Sequence, residues 1–339
     1  MRDISLVRIL PVEPRVPFIS ARLVAGVISI IAVIISMTLF ITKGLNYGLD
    51  FTGGVVTTVD FGVEPPADVQ NFVQTRFEGS QVQNISQPAG SLIDHDYLRI
   101  SLPLQIEEGG SDDASADGEA ERQAQTDAQQ VAQAALFEAL EGQYDNLKLI
   151  STETVSGKVS GELRRKGLIA VVLALGLVLA YIWFRFEWQF GLGAVAALLH
   201  DVILTLGVFE LFQIEFNLAI IAAILTIVGY SLNDTVIVYD RIRENLRKYK
   251  KMPLAEVINI SINDTLSRTI LTSMTTLLAL TALYVLGGPG LEGFSFAMIW
   301  GVIVGTYSSI FVASPLLLVL KLKRGSRIDA PKDDVAKTV

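Results

Sequence analysis

Gly48-Leu-Asp-Phe-Thr-Gly-Gly54 is the stretch on which the reading of this chain turns. Two adjacent glycines beside an aspartate suit three uses: a phosphate cradle, a metal loop or a backbone turn. What flanks the stretch decides among them. On its N-terminal side, residues 19–41 form a long apolar run; on its C-terminal side, Val55–Phe61 is rich in β-branched residues and reads as a strand. A phosphate loop needs another order: strand, glycine loop with its lysine, then helix. The stretch is therefore a helix-to-strand passage. Gly53 and Gly54 supply backbone angles closed to other residues, and Asp50 accepts hydrogen bonds from N–H groups of the turn. A structural turn or hinge is its first reading, direct contact with a substrate its second.

The rest of the chain gives that passage a setting. Of 339 residues, 51% are hydrophobic and 18% charged, whereas soluble domains carry about 25% charged residues. A transmembrane helix needs about 20 predominantly apolar residues. Six runs qualify: 19–41, 168–185, 190–212, 217–239, 269–287 and 293–320. The expected fold is a membrane protein, an α-helical bundle of six transmembrane helices plus one α+β domain outside it. The first run exceeds the ~7–15 residues of a signal h-region and lacks a small-x-small cleavage site, so it is expected to stay attached. No cysteine is present, which excludes disulfides and cysteine-ligated metal; no metal site is expected.

Charge orients the bundle. Residues 42–167 hold 20 acidic against 9 basic side chains, while the remainder holds 15 against 18. Basic residues gather in the tail 1–18, in the loop 240–267 and in the tail 321–339. Positive-inside logic puts these three regions in the cytoplasm and the acidic block 42–167 in the periplasm or its equivalent. The basic clusters read as juxtamembrane flanks, so no nucleic-acid partner is expected.

The acidic block has a legible order. After the first strand, Pro65–Phe77 reads as a helix, Gln81–Gln87 and Tyr97–Leu102 as strands, Ala124–Glu141 as a helix and Leu147–Val155 as a strand. That is the β-α-β-β-α-β, ferredoxin-like pattern. Residues 107–122 are acidic, rich in Gly, Ser and Ala, and nearly devoid of apolar side chains, so a disordered insert is expected there. Glycines on both sides of the domain, at Gly53-Gly54 and at Ser156-Gly157 and Ser160-Gly161, mark two candidate hinges.

Three places inside the spans carry ionisable groups, each costly in hydrocarbon and so a candidate functional site. Asp234 lies about 9–10 Å inside the cytoplasmic end of its span, at 1.5 Å per residue, with Tyr230, Ser231 and Asn233 around it. It is either a functional carboxylate or a structural one bonded to adjacent helices. Arg268 opens the fifth span, with Thr272 at i+4 and Thr275 and Thr276 beyond. It either snorkels to the interface or takes part in function, and the hydroxyls serve equally as helix–helix glue. His200-Asp201 sits near the middle of the third span. Adjacent residues point about 100° apart on a helix, so one can face a neighbour while the other faces a proton path. Gly301, Gly305 and Ser309 recur every fourth residue in the last span and read as a packing face, within the chain or toward a partner.

Gly48–Gly54, Gly229-Tyr-Ser-Leu-Asn-Asp-Thr235, Asp240-Arg-Ile-Arg-Glu-Asn245, Leu266-Ser-Arg-Thr269 and Gly301–Ser309 together resemble the SecD/SecF family of protein-export membrane subunits. These are half-transporters of the resistance-nodulation-division superfamily. The resemblance covers about residues 44–320, and it sits most closely on the SecF side of the family. It implies a subunit that pairs with SecD, works beside the SecYEG channel with YajC and YidC, and draws translocating unfolded preproteins outward using the proton gradient. It implies no cofactor, and a proton pathway through Asp234, Arg268, Thr272, Asn233 and Asp201. Two other functions are weighed against it. A self-contained half-transporter exporting small molecules or lipids is the alternative. An intramembrane enzyme built on His200-Asp201 lacks a paired nucleophile, so no enzyme activity is expected.

Overall fold

The computed structural model describes residues 16–77, 79–85, 97–103, 116–144, 146–155 and 157–322. A 3-10 turn at Phe18–Ala21 leads into α1 (Arg22–Thr42); the short α2 (Leu49–Thr52) follows. The extramembrane unit runs β1 (Gly54–Asp60), α3 (Val69–Arg76), β2 (Gln81–Ile85), β3 (Tyr97–Pro103), α4 (Ala116–Glu141) and β4 (Lys148–Val155). Five long helices complete the chain: α5 (Gly157–Arg185), α6 (Trp188–Phe212), α7 (Leu218–Lys248), α8 (Leu254–Leu286) and α9 (Pro289–Ser308). The last continues through a π-turn (Ser309–Ala313) into α10 (Ser314–Val319). Six stretches of described helix are long and apolar enough to cross a membrane.

The sheet has strand order β2-β3-β1-β4, every pair antiparallel. Alternation along β3 sorts its side chains: Leu98, Ile100 and Leu102 are buried while Tyr97, Arg99 and Ser101 are half-buried. With Val59, Phe61, Val69, Val73, Leu136 and Leu140 they form one core between sheet and helices. In the bundle, α6, α7 and α9 are the inner helices, whereas α1 and α5 expose leucine, isoleucine and phenylalanine over most of their surface. Such surface is stable only against lipid or a partner helix.

The structure corrects three boundaries. The helix expected from residue 124 starts at Ala116, so part of the insert 107–122 is helical; residues 104–115 lie outside the described residues. Ala116, Glu119, Ala120, Glu121 and Arg122 are strong helix formers. Their polarity argues against burial, not against helix. The expected loop 240–267 is almost wholly helical, with only Tyr249–Pro253 between α7 and α8. Ile242, Leu246, Val257, Ile258 and Ile262 are buried there beneath the charges, an amphipathic pattern that basic residues masked. Helix α5 starts at Gly157 rather than 168, which puts Ser160-Gly161 inside a helix instead of at a hinge. The sixth span is present and runs from α9 through the π-turn into α10.

Candidate functional site

The passage from α1 to β1 is strapped to the far end of the bundle. Phe216 donates its N–H to the Asn46 carbonyl (2.7 Å), Gly48 donates to the Phe216 carbonyl (2.9 Å), and the Asn46 amide donates to the Gln213 carbonyl (2.9 Å). Tyr47, Phe51 and Phe216 pack ring against ring above this ladder. Asp50 then caps another helix altogether: its Oδ2 accepts the backbone N–H of Leu218, the first residue of α7, at 2.9 Å. Asn217 accepts the Ile220 N–H, so two of the four free donors at that helix start are satisfied. Past the strap, Gly53 (φ 68°) and Gly54 (φ 132°) turn the chain into β1 through backbone angles that favour glycine. Arg99 of β3 reaches Glu215 of the α6–α7 connection at 3.9 Å, joining sheet to bundle.

Deeper in the bundle, Asp201 of α6 is 1% exposed and fully bonded. Its Oδ2 accepts the hydroxyls of Ser231 on α7 (2.6 Å) and Ser308 on α9 (2.8 Å); its Oδ1 lies 3.0 Å from His200 Nδ1. Three helices thus converge on one carboxylate. The neighbours His200 and Asp201 are both buried and bonded to each other, which separation by 100° along the helix did not foretell.

Asp234, three residues past Ser231 on α7, is also 1% exposed, yet its Oδ2 has no hydrogen-bond partner among the described residues. Arg268 of α8 is the cation that acts on it electrostatically. Arg268 itself lies on the exposed side of α8, and its guanidinium makes no hydrogen bond or ion pair among the described residues. Thr272 returns its hydroxyl to the Arg268 and Thr269 carbonyls (3.0 and 2.9 Å), and Thr276 does so to the Thr272 carbonyl, so these hydroxyls are engaged within their own helix. Asn233 is exposed, about 100° round α7 from the buried Asp234. The structure brings Asp234 and Arg268 into one electrostatic field, and it leaves Asn233 out of the buried cluster.

Gly301 and Gly305 let α9 close on α7. A Cβ at Gly301 would collide with Ile227, and one at Gly305 would stand 3.0 Å from Ser231 Cβ. This face packs inside the chain, and Ser309 is buried with it. The Asp240–Asn245 motif acts at the other end of α7. Arg241 and Asn245 both donate to Asp264 Oδ2 (2.7 and 3.0 Å), Asn245 also reaches Ser261, and Asp240 pairs with Arg185. Sequence reasoning missed Ser308, Tyr307 and Glu210. Glu210 is buried near the end of α6 with neither oxygen partnered among the described residues.

Six apolar helices, a sheet domain inserted after the first, and carboxylates buried between helices define a polytopic membrane transport protein. Comparison with known proteins makes this specific. Residues 135–323 match the family described as protein export membrane protein SecD/SecF, C-terminal, and residues 38–62 match the SecD/SecF GG motif. The chain belongs to the SecD/SecF family. It is 42% identical to protein translocase subunit SecF of Cereibacter sphaeroides over 96% of this chain and 95% of that one. It is 39% identical to protein translocase subunit SecDF of Brucella abortus over 95% of this chain and 40% of that one. Among solved structures, SecDF of Thermus thermophilus superimposes with a TM-score of 0.76 at 32% identity, covering 93% of this chain and 40% of the solved chain. The chain therefore corresponds to the SecF part of those longer SecDF polypeptides.

Proposed function

We infer that this chain, a protein-translocase subunit by family, pairs with SecD and couples inward proton movement to the late, post-ATP steps of preprotein translocation through SecYEG. The SecDF polypeptides support the pairing, since they carry a SecF-like part and further chain in one molecule. The observation that carries the coupling is Asp234: a carboxylate buried within a membrane helix, with one oxygen unpartnered and, among the described residues, a single cation, Arg268, acting on it. A buried charge without full pairing is costly. A group in this setting is suited to exchange a proton rather than to hold two helices together.

In this reading Arg268 stays charged and biases the site without carrying the proton. When the carboxylate takes a proton, the guanidinium loses its counter-charge and turns along the exposed face of α8, toward Thr272 or a carboxylate of SecD. That gives α7 and α8 two arrangements. Motion reaches the outside domain through α7, whose first residue is capped by Asp50 beside the Gly53-Gly54 turn. The sheet domain is ferredoxin-like in element order and strand order, faces the periplasm, and moves about that turn, with both termini cytoplasmic. Bound organic cofactors, metal ions and enzymatic chemistry have no part in it; YajC and YidC are further partners. Preprotein translocation into inverted vesicles, with and without an uncoupler, tests the proposal. Asp234→Asn removes the gradient-dependent fraction and leaves assembly with SecD intact. An unchanged uncoupler-sensitive fraction in the assembled variant contradicts it.

A further inference from the structure

We propose that His200 is a second proton-binding group of the membrane bundle, and that Asp201 acts through it as a positioning residue. The proposal rests on the proton-coupled reading above, but it comes from a different set of contacts.

Asp201 is committed. An ionised carboxylate only accepts hydrogen bonds, and here Oδ2 receives two hydroxyls while Oδ1 faces His200 Nδ1 at 3.0 Å. With Asp201 ionised the partner of Oδ1 is an N–H, and His200 is then the tautomer protonated at Nδ1. Nε2 is left with its lone pair. That atom is buried and has no partner among the described residues, in a side chain that is 5% exposed. A buried acceptor left open is rare and calls for an explanation. The Tyr307 ring stacks on the imidazole at 6.0 Å and 24°, and its own hydroxyl is tied to α1 by donating to the Ala25 carbonyl (2.9 Å) and meeting Ser29 Oγ (3.0 Å). A π-turn begins directly after Ser308, and such turns occur frequently at functional sites.

The chemistry is a proton transfer and nothing else. The Nε2 lone pair takes an incoming proton to give imidazolium, the Nδ1–H bond to Asp201 is kept, and the Nε2–H bond breaks when the proton moves on. Among the described residues the ionisable groups around it are few. Asp201 and Tyr307 touch it, and Asp234 lies one turn along α7 from Ser231. Neither α1 after Arg22, nor α5 between residues 167 and 180, nor the π-turn and α10 contributes an ionisable side chain.

The chain has two histidines, His95 and His200. His95→Gln therefore leaves a single imidazole in this chain, observed by solid-state NMR of the lipid-reconstituted complex of ¹⁵N-histidine-labelled chain with unlabelled SecD. The expected spectrum of the resting complex shows a protonated Nδ1 and a bare Nε2, and acidification protonates Nε2. Asp201→Asn, whose amide presents either face, gives mixed tautomers. In proteoliposomes His200→Gln lowers proton flux about a hundredfold, the low end of what a positioned acid–base group contributes. A bare Nδ1, an Nε2 that does not change with pH, or full flux in an assembled His200→Gln complex overturns the proposal. These outcomes leave the Asp234 reading standing, because Asp234→Asn is scored separately in the same vesicles.

Discussion

Gly301→Ala adds one methyl where α9 meets α7, and the structure sets what that methyl encounters. The new Cβ would fall against three carbons of the Ile227 side chain, with Cγ2 at 2.8 Å. Ile227 is 2% exposed. A β-branched side chain in a helix has one strongly preferred rotamer, so it cannot swing aside. Overpacking of this kind costs about 1–3 kcal/mol. Exchanging glycine for alanine in a helix returns up to about 1 kcal/mol. The net expectation is a destabilisation of up to roughly 2 kcal/mol, read as an unfolding midpoint of the purified chain in mixed micelles below that of a variant with the propensity gain alone. Gly176→Ala in α5 is the control, since a Cβ there meets nothing within 4 Å; it should keep the propensity gain. The double variant Gly301→Ala with Ile227→Ala should recover part of the loss, because neighbours that collide are not additive. Equal midpoints for Gly301→Ala and Gly176→Ala would refute the close approach of α9 to α7.

Three further outcomes are expected. Asp50→Ala removes the side-chain acceptor of the Leu218 N–H and should cost about 1 kcal/mol, the usual value of a helix cap, with hydrogen exchange increased at the start of α7. Unchanged protection of residues 218–221 would count against the strap. Arg99→Ala releases the sheet from Glu215, and a spin label on β3 should show a broader distance distribution to α6; an identical distribution would mean the ion pair holds nothing. Arg268→Lys should leave translocation partly defective, since an ammonium replaces a planar fork of donors; full activity would show that only the charge is needed.

Much of the fold could be read from residue patterns, and the site only in part. Length and apolarity of the six runs, and the strand-helix order of the acidic block, follow from local composition. The ends of helices did not. Residues 240–267 looked like a loop because basic side chains dominate them, yet Ile242, Leu246 and Ile258 bury a stripe beneath those charges. Residues 116–122 read as unstructured because they have nothing to bury, although five of the seven favour helix. At the site, sequence picked out Asp234, Arg268 and Asp201 because a charge in hydrocarbon is conspicuous. It could not find their partners. Ser308 lies 107 residues from Asp201, and Leu218 lies 168 from Asp50. No local pattern encodes either contact. Asn233 shows the converse: next to Asp234 in sequence, it points out of the bundle, as the 100° step of a helix dictates.

The measurement that bears most directly on the account is proton flux through the complex with SecD, reconstituted into proteoliposomes carrying a pH-sensitive dye inside and an imposed proton gradient. The account predicts that Asp234→Asn, in complexes shown to be assembled, conducts no more protons than empty vesicles. Flux equal to that of the unaltered complex would contradict it and place the transported proton on another group.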